Sequence, residues 1–149
     1  MEWAIEVKNR VLELVQTEVA SEFHSWHRTS VAAVPLSASE CPALSVSITE
    51  QDDHLLAGGS LNKRRENTTV EIAVAVHGMD ERGEIEDSLV RLCGLVTRGL
   101  RKYASDSVWP EGADFVTPAI RYHVLAGGEQ IFTQVGVMRW QAQRATRAT

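Results

Sequence analysis

The chain has 149 residues, a formal net charge of −5 and a pI near 5.5, with 44% hydrophobic and 23% charged residues. A chain of this length is expected to form one domain and to bury roughly 70% of the surface it exposes when unfolded, so it needs neither metal nor disulfide to fold. The ordinary composition excludes general disorder, and the acidic balance disfavours a dedicated nucleic-acid binder, because phosphate backbones reward a positive face.

From residue 1 to about His27 the pattern predicts an amphipathic helix. Trp3, Val7, Val11, Leu14, Val15, Val19 and Phe23 recur at spacings of three and four, and charged residues fill the other side. The run "TSVAAVP", Thr29 to Pro35, reads as a weak first strand ended by proline. In "ALSVSIT" Leu44, Val46 and Ile48 alternate with Ser45, Ser47 and Thr49, which predicts a half-buried strand. A long polar loop over about 52–67 is expected next, mobile and hinged at Gly58 and Gly59. It leads into the clearest strand, where Val70, Ile72, Val74 and Val76 alternate with Glu71, Ala73, Ala75 and His77.

The second helix spans "MDERGEIEDSLVRLCGLVTRGLRKY". Asp80 is its expected N-cap; acidic residues crowd its first turns and Arg98, Arg101 and Lys102 its last, complementing the helix dipole. Ile85, Leu89, Leu92, Cys93, Val96, Leu100 and Tyr103 form its inward stripe. Gly94 and Gly99 each cost the helix about 1 kcal/mol against alanine, which close packing against a neighbour would offset. Two further strands, 119–125 and 130–140, are joined by a tight turn at "AGGE", and residues 142–149 are expected to fray. Helix, three strands, helix and two strands make an α+β two-layer sandwich: a mixed, mostly antiparallel sheet with both helices on one face.

The search for chemistry finds little. His24 and His27 stand three apart near the predicted end of the first helix, a spacing able to share one ion, but no third ligand accompanies them. His54, His77 and His123 have no recognisable partner. Cys41 lacks a neighbouring activator, and no nucleophile elbow, Walker loop or dinucleotide fingerprint occurs. Neither catalytic, metal nor cofactor-binding residues are expected, and the chain does not read as an enzyme. Two cysteines, Cys41 and Cys93, are too few for a secreted disulfide scaffold, so a reducing compartment is expected. The first residues carry no leader pattern and no stretch reaches the roughly 18 apolar residues of a membrane span, which predicts a soluble protein made inside the cell.

Lys63, Arg64 and Arg65 stand side by side before the best strand. A nucleic-acid contact would interleave aromatic residues with them, and none is there. Two readings stay open: a solvated hairpin tip, or an electrostatic contact with another protein, such as a second copy of this acidic chain. On the second reading these three residues are the candidate subunit interface.

The amphipathic first helix, the proline-led strand in "ECPALSVSITEQD", the strand "TTVEIAVAVHG", the acidic-led helix "DERGEIEDSLVRLCGLVTRGL" and the closing "EQIFTQVGVMRWQ" together resemble one family. It is the tail terminator (minor tail) proteins of lambda-like long-tailed bacteriophages, and the resemblance covers about Glu2 to Gln141. Gly94, Gly99 and a basic tail depart from its pattern. The resemblance implies a structural virion protein without cofactor, a single tail-terminator-like domain over 1–149. Such a protein assembles in the host bacterial cytoplasm into a hexameric ring on the tail tube, ends tube polymerisation and supports head–tail joining. The implied partners are further copies of itself, the tail tube protein and the head–tail connector protein, with no membrane and no specific nucleic acid. The alternatives are another neck or head–tail joining protein, or a small α+β module binding RNA or a small ligand.

Overall fold

The first helix forms because its apolar residues line one face, and it stops when that face has served. The computed structural model describes residues 2–32, 38–55, 63–79, 82–103, 114–116, 120–127 and 131–147. Helix α1 spans Glu2–Val19 and buries Trp3, Ala4, Val7, Val11, Leu14, Val15 and Val19. It ends eight residues earlier than the periodicity predicts. Val19 leaves helical geometry at φ −133°, a 3-10 turn occupies Ala20–Glu22, and Phe23 is extended. Phe23 still enters the core, with its ring edge-on to Trp26 at 5.4 Å. The helical spacing of Phe23 thus reflects a shared destination for its side chain and not a continuing helix.

Strand β1, Ser25–His27, lies where the helix was expected to end, and it pairs in parallel with β2, Ala43–Leu55. Of the predicted strand at 29–35, residues 29–32 are not strand, and 33–35 lie outside the described residues. Its described part, up to residue 32, turns across the sheet and is held by side chains: the Val31 amide donates to Ser45 Oγ at 3.0 Å and Ser30 Oγ donates to Glu71 at 2.8 Å. An apolar β-branched run can plug a sheet face as well as join the sheet.

Strand β3, Lys63–Met79, pairs antiparallel with β2 on one side and with β6, Ile131–Arg147, on the other. Helix α2, Arg82–Arg101, connects β3 to the short β4, Asp114–Val116, and to β5, Ile120–Gly127. Both β4 and β5 line the far side of β6, giving the order β1-β2-β3-β6-β4 with β5 beside β6. Among the described residues only the β1–β2 pair is parallel. The fold is the α+β two-layer sandwich, with two helices on one face of a mixed sheet.

The main core lies between helices and sheet. Leu44, Val46, Val70, Ile72, Val74, Val76, Met138 and Trp140 meet the α1 stripe and Ile85, Leu89, Leu92, Cys93, Val96 and Leu100 of α2. The helices approach closely at Gly99, where an added Cβ would lie 3.0 Å from Glu18 Cβ. That closeness accounts for glycine there. Beside it Tyr103 donates a 2.6 Å hydrogen bond to Glu18 and Lys102 approaches at 3.3 Å, and together they hold the Glu18 carboxyl below the usual carboxylate range.

The sheet's second face is covered in part as well. Val31 and Cys41 pack on Ala43, Ala73, Ala75 and Val135. Glu71, on this face, is only 7% exposed, and the Arg139 guanidinium approaches it at 3.7 Å. The alternation in β3 therefore separates two buried faces, large residues toward the helices and small ones toward the plug.

Polar segments predicted as loop and tail are strand. Asp52, Asp53, His54 and Leu55 pair with Asn67, Glu66, Arg65 and Arg64, while β6 continues to Arg147 opposite Lys63. Of the predicted loop at 52–67, residues 56–62, with the expected glycine hinge, lie outside the described residues, as do Asp80 and the second half of the "AGGE" turn, whose first half, Ala126 and Gly127, ends β5. At about 3.3 Å per residue the 17-residue β3 runs about 56 Å, twice the roughly 27 Å of the 18-residue α1, so the sheet outruns its helices as a three-stranded arm.

Candidate interaction surface

The arm and the two borders of the sheet form the candidate site. Lys63, Arg64 and Arg65 are not on a loop tip; they occupy β3, an inner strand. Register sets them against Arg147, Thr146 and Ala145 of β6, and sets Arg64 and Arg65 also against Leu55 and His54 of β2. Arg65 is exposed, and the side chains of Lys63 and Arg64 lie outside the described residues. Arg64 and Arg65 are paired on both sides, so a contact made by these two runs through side chains.

The borders differ. Beyond Ser45 the outer edge of β2 carries no strand among the described residues, and neither does the outer edge of β4 and β5. Unpaired strand edges present rows of N–H and C=O groups that can template pairing with another chain. On the plug-bearing face, the β2 border carries the exposed carboxylates Glu50 and Asp52, while the opposite border carries exposed Arg121 on β5, with exposed Arg139 one strand in. Among the described side chains, the charges are acidic at the β2 edge and basic at the β5 edge.

Arg144 was missed in a segment read as a frayed tail. Its guanidinium donates to Glu66 at 2.9 Å and lies 4.8 Å from the centre of the Trp3 ring, fastening the arm to the start of α1. Nearby, Asn67 donates to Asp52 at 2.6 Å, tying β3 to β2. A cavity of about 290 Å³ at this junction is lined by Trp3, Gln51, Asp52, Glu66, Asn67 and neighbours. Its carboxylates are already engaged by Asn67 and Arg144, so it reads as a seam of the arm.

The other sequence candidates separate. His24 and His27 stand outside any helix, so the one-turn spacing that suggested a shared ion does not apply; His24 is exposed and His27 Nε2 hydrogen-bonds Ser25 Oγ at 2.8 Å. Among the described residues no group of three or more His, Cys, Asp or Glu is placed to hold a metal ion. Burial, then the nearby Glu40, raises the Cys41 thiol, and burial alone pushes Cys93 up to about 12. Neither thiol has the thiolate character a nucleophile needs. His77 is half-buried, and the side chains of His54 and His123 lie outside the described residues. No described helix is long and apolar enough to cross a membrane.

No known protein-family model matches the chain, and no curated protein sequence matches it at a significant level.

Proposed function

We propose that this chain is a ring-forming assembly protein of the phage tail-terminator type, which caps a tail tube, ends its growth and offers a surface for head–tail joining. The observation that carries the reading is the pair of unlike open sheet edges, acidic at β2 and basic at β5. Joining unlike edges is heterologous: each copy receives a neighbour at one border and offers the other onward, and the chain of copies closes into a ring when the rotation per step divides the circle. Strand-to-strand addition supplies backbone hydrogen bonds at each joint, and the opposed charges select the pairing and its register. The arm, whose backbone includes Lys63, Arg64 and Arg65, then projects beyond the helix layer, where exposed Arg65 is available to the tube or connector subunits. Nothing in this function requires a bond to be made or broken.

The test is polymerisation of a tail tube protein with this chain added in substoichiometric amounts. Tubes are expected to shorten as the chain is added, with a ring at one end in electron micrographs. Tubes of unchanged length and bare ends contradict the proposal.

A further inference from the structure

A glycine that no intramolecular contact requires sits on the outer face of α2. An alanine Cβ at Gly94 would meet nothing within 4 Å, in contrast to Gly99, where it would press on Glu18. Glycine weakens a helix interior, and nothing within the subunit offsets that at Gly94. One turn earlier, Val90 is 45% exposed, among the most exposed large apolar side chains of the described residues. Glu86, Val90, Gly94 and Arg98 follow at steps of four along one ridge of the helix.

The charges on this face are self-complementary. Glu86 and Asp87 are exposed toward the N-terminal half, Arg98 and Arg101 toward the C-terminal end. Other residues carry the ion pairs at this seam: Arg91 of α2 with Glu22 of the 3-10 turn, and Lys102, just past α2, with Glu18 of α1.

We infer that this face of α2 is a contact surface for a second copy of the chain, the two α2 helices packing antiparallel with Val90 of each seated on Gly94 of the other. A two-fold axis midway between Val90 and Gly94 brings Glu86 of each copy opposite Arg98 of its mate, one step of four further out on either side. Glycine at the crossing lets the helix axes approach, valine fills the gap, and the antiparallel arrangement opposes the helix dipoles favourably. The contact is isologous and so differs in kind from the head-to-tail edge joint. It does not rest on the ring: it would pair two free subunits, or two rings through their helix layers. A single helix face is at the small end of interface sizes, so the dimer is weak and forms at high protein concentration.

The test is sedimentation velocity over a wide concentration range in an Arg121→Glu background, which disables the edge joint and keeps the two readings separable. The parent is expected to dimerise reversibly. Gly94→Gln is expected to weaken the dimer at least tenfold while leaving the thermal midpoint unchanged or higher, because the side chain meets open space and favours the helix. Glu86→Arg and Arg98→Glu are each expected to weaken it, and the two together to restore it with the pair inverted. A parent that stays monomeric, a dimer indifferent to Gly94→Gln, or a double reversal as weak as the singles overturns the inference.

Discussion

Replacing Gly136 with alanine is expected to destabilise the protein by about 1–3 kcal/mol, the range for forcing extra carbon into a filled core. Gly136 lies on β6 between Val74 and Tyr122 of its neighbouring strands. An added Cβ would stand 2.5 Å from Cys93 Sγ and 3.3 Å from the Tyr122 ring. Cys93 is fully buried, so its sulfur cannot swing into solvent, and α2 must shift outward instead. Without that clash the substitution would help, since glycine in a strand interior costs about 0.5–1 kcal/mol against alanine. The sign therefore reports the contact. In a domain of this size the thermal midpoint is expected to fall by about 2–4 °C per kcal/mol. A double-mutant cycle isolates the cause: in a Cys93→Ala background the sulfur is gone, and Gly136→Ala is expected to cost less than half as much. Equal cost in both backgrounds would show that Gly136 and Cys93 are not in contact.

Removing residues 142–149 is expected to cost about 4 kcal/mol or more, a large part of the roughly 5–15 kcal/mol that holds a domain folded. The deletion strips β6 from β3 over the register from Lys63↔Arg147 to Thr68↔Ala142 and frees Phe115 and Asp114 from their partners. It also removes Ala142, fully buried in the main core, and Arg144 with its bond to Glu66 and its place over Trp3. A charged hydrogen bond contributes about 1.5–3 kcal/mol and a cation–π contact about 0.5–2 kcal/mol. Solvent screens both contacts at this partly exposed side chain, so the single change Arg144→Ala is expected to account for about 1–2 kcal/mol, read from urea unfolding midpoints. A deletion that shifts the midpoint by less than 1 kcal/mol would mean that the arm contributes nothing to the fold.

That arm marks the limit of what the sequence discloses. The helix stripes and the alternation over Val70–Val76 were legible because each element hides an apolar face, and that face leaves a period in the sequence. Residues 52–55, 63–67 and 142–147 carry mostly polar side chains, so β2, β3 and β6 show no period there and read as loop and tail. Their strand state rests on mutual backbone pairing and on contacts between residues far apart in the chain, such as Glu66 with Arg144. Glu71, Ala73 and Ala75 lie on a second buried face, and nothing near them in sequence indicates that Val31 and Cys41 cover it. The strand expected at Thr29–Pro35 is absent over its described residues 29–32 for the same reason, since Ser30 and Val31 bond to side chains of residues 71 and 45.

The candidate site was legible only as a run of charge. Lys63, Arg64 and Arg65 were visible, but not their place on an inner strand, which moves the backbone-pairing surface away from them to the sheet borders. Glu50, Asp52 and Arg121 acquire meaning only once strand order is known, because each is unremarkable until its strand proves to be an edge. On the proposed reading, the unlike edges are the physical means of building a ring.

The most direct test of that account mixes two charge-reversed proteins and weighs the products by native mass spectrometry. Arg121→Glu makes both borders of a copy acidic, and Glu50→Lys with Asp52→Lys makes both borders basic. Each alone is expected to fail to form rings, while an equimolar mixture forms closed assemblies in which the two alternate, in even numbers. Rings formed by either protein alone, or no rings from the mixture under conditions where the unaltered chain assembles, would contradict head-to-tail joining through these edges.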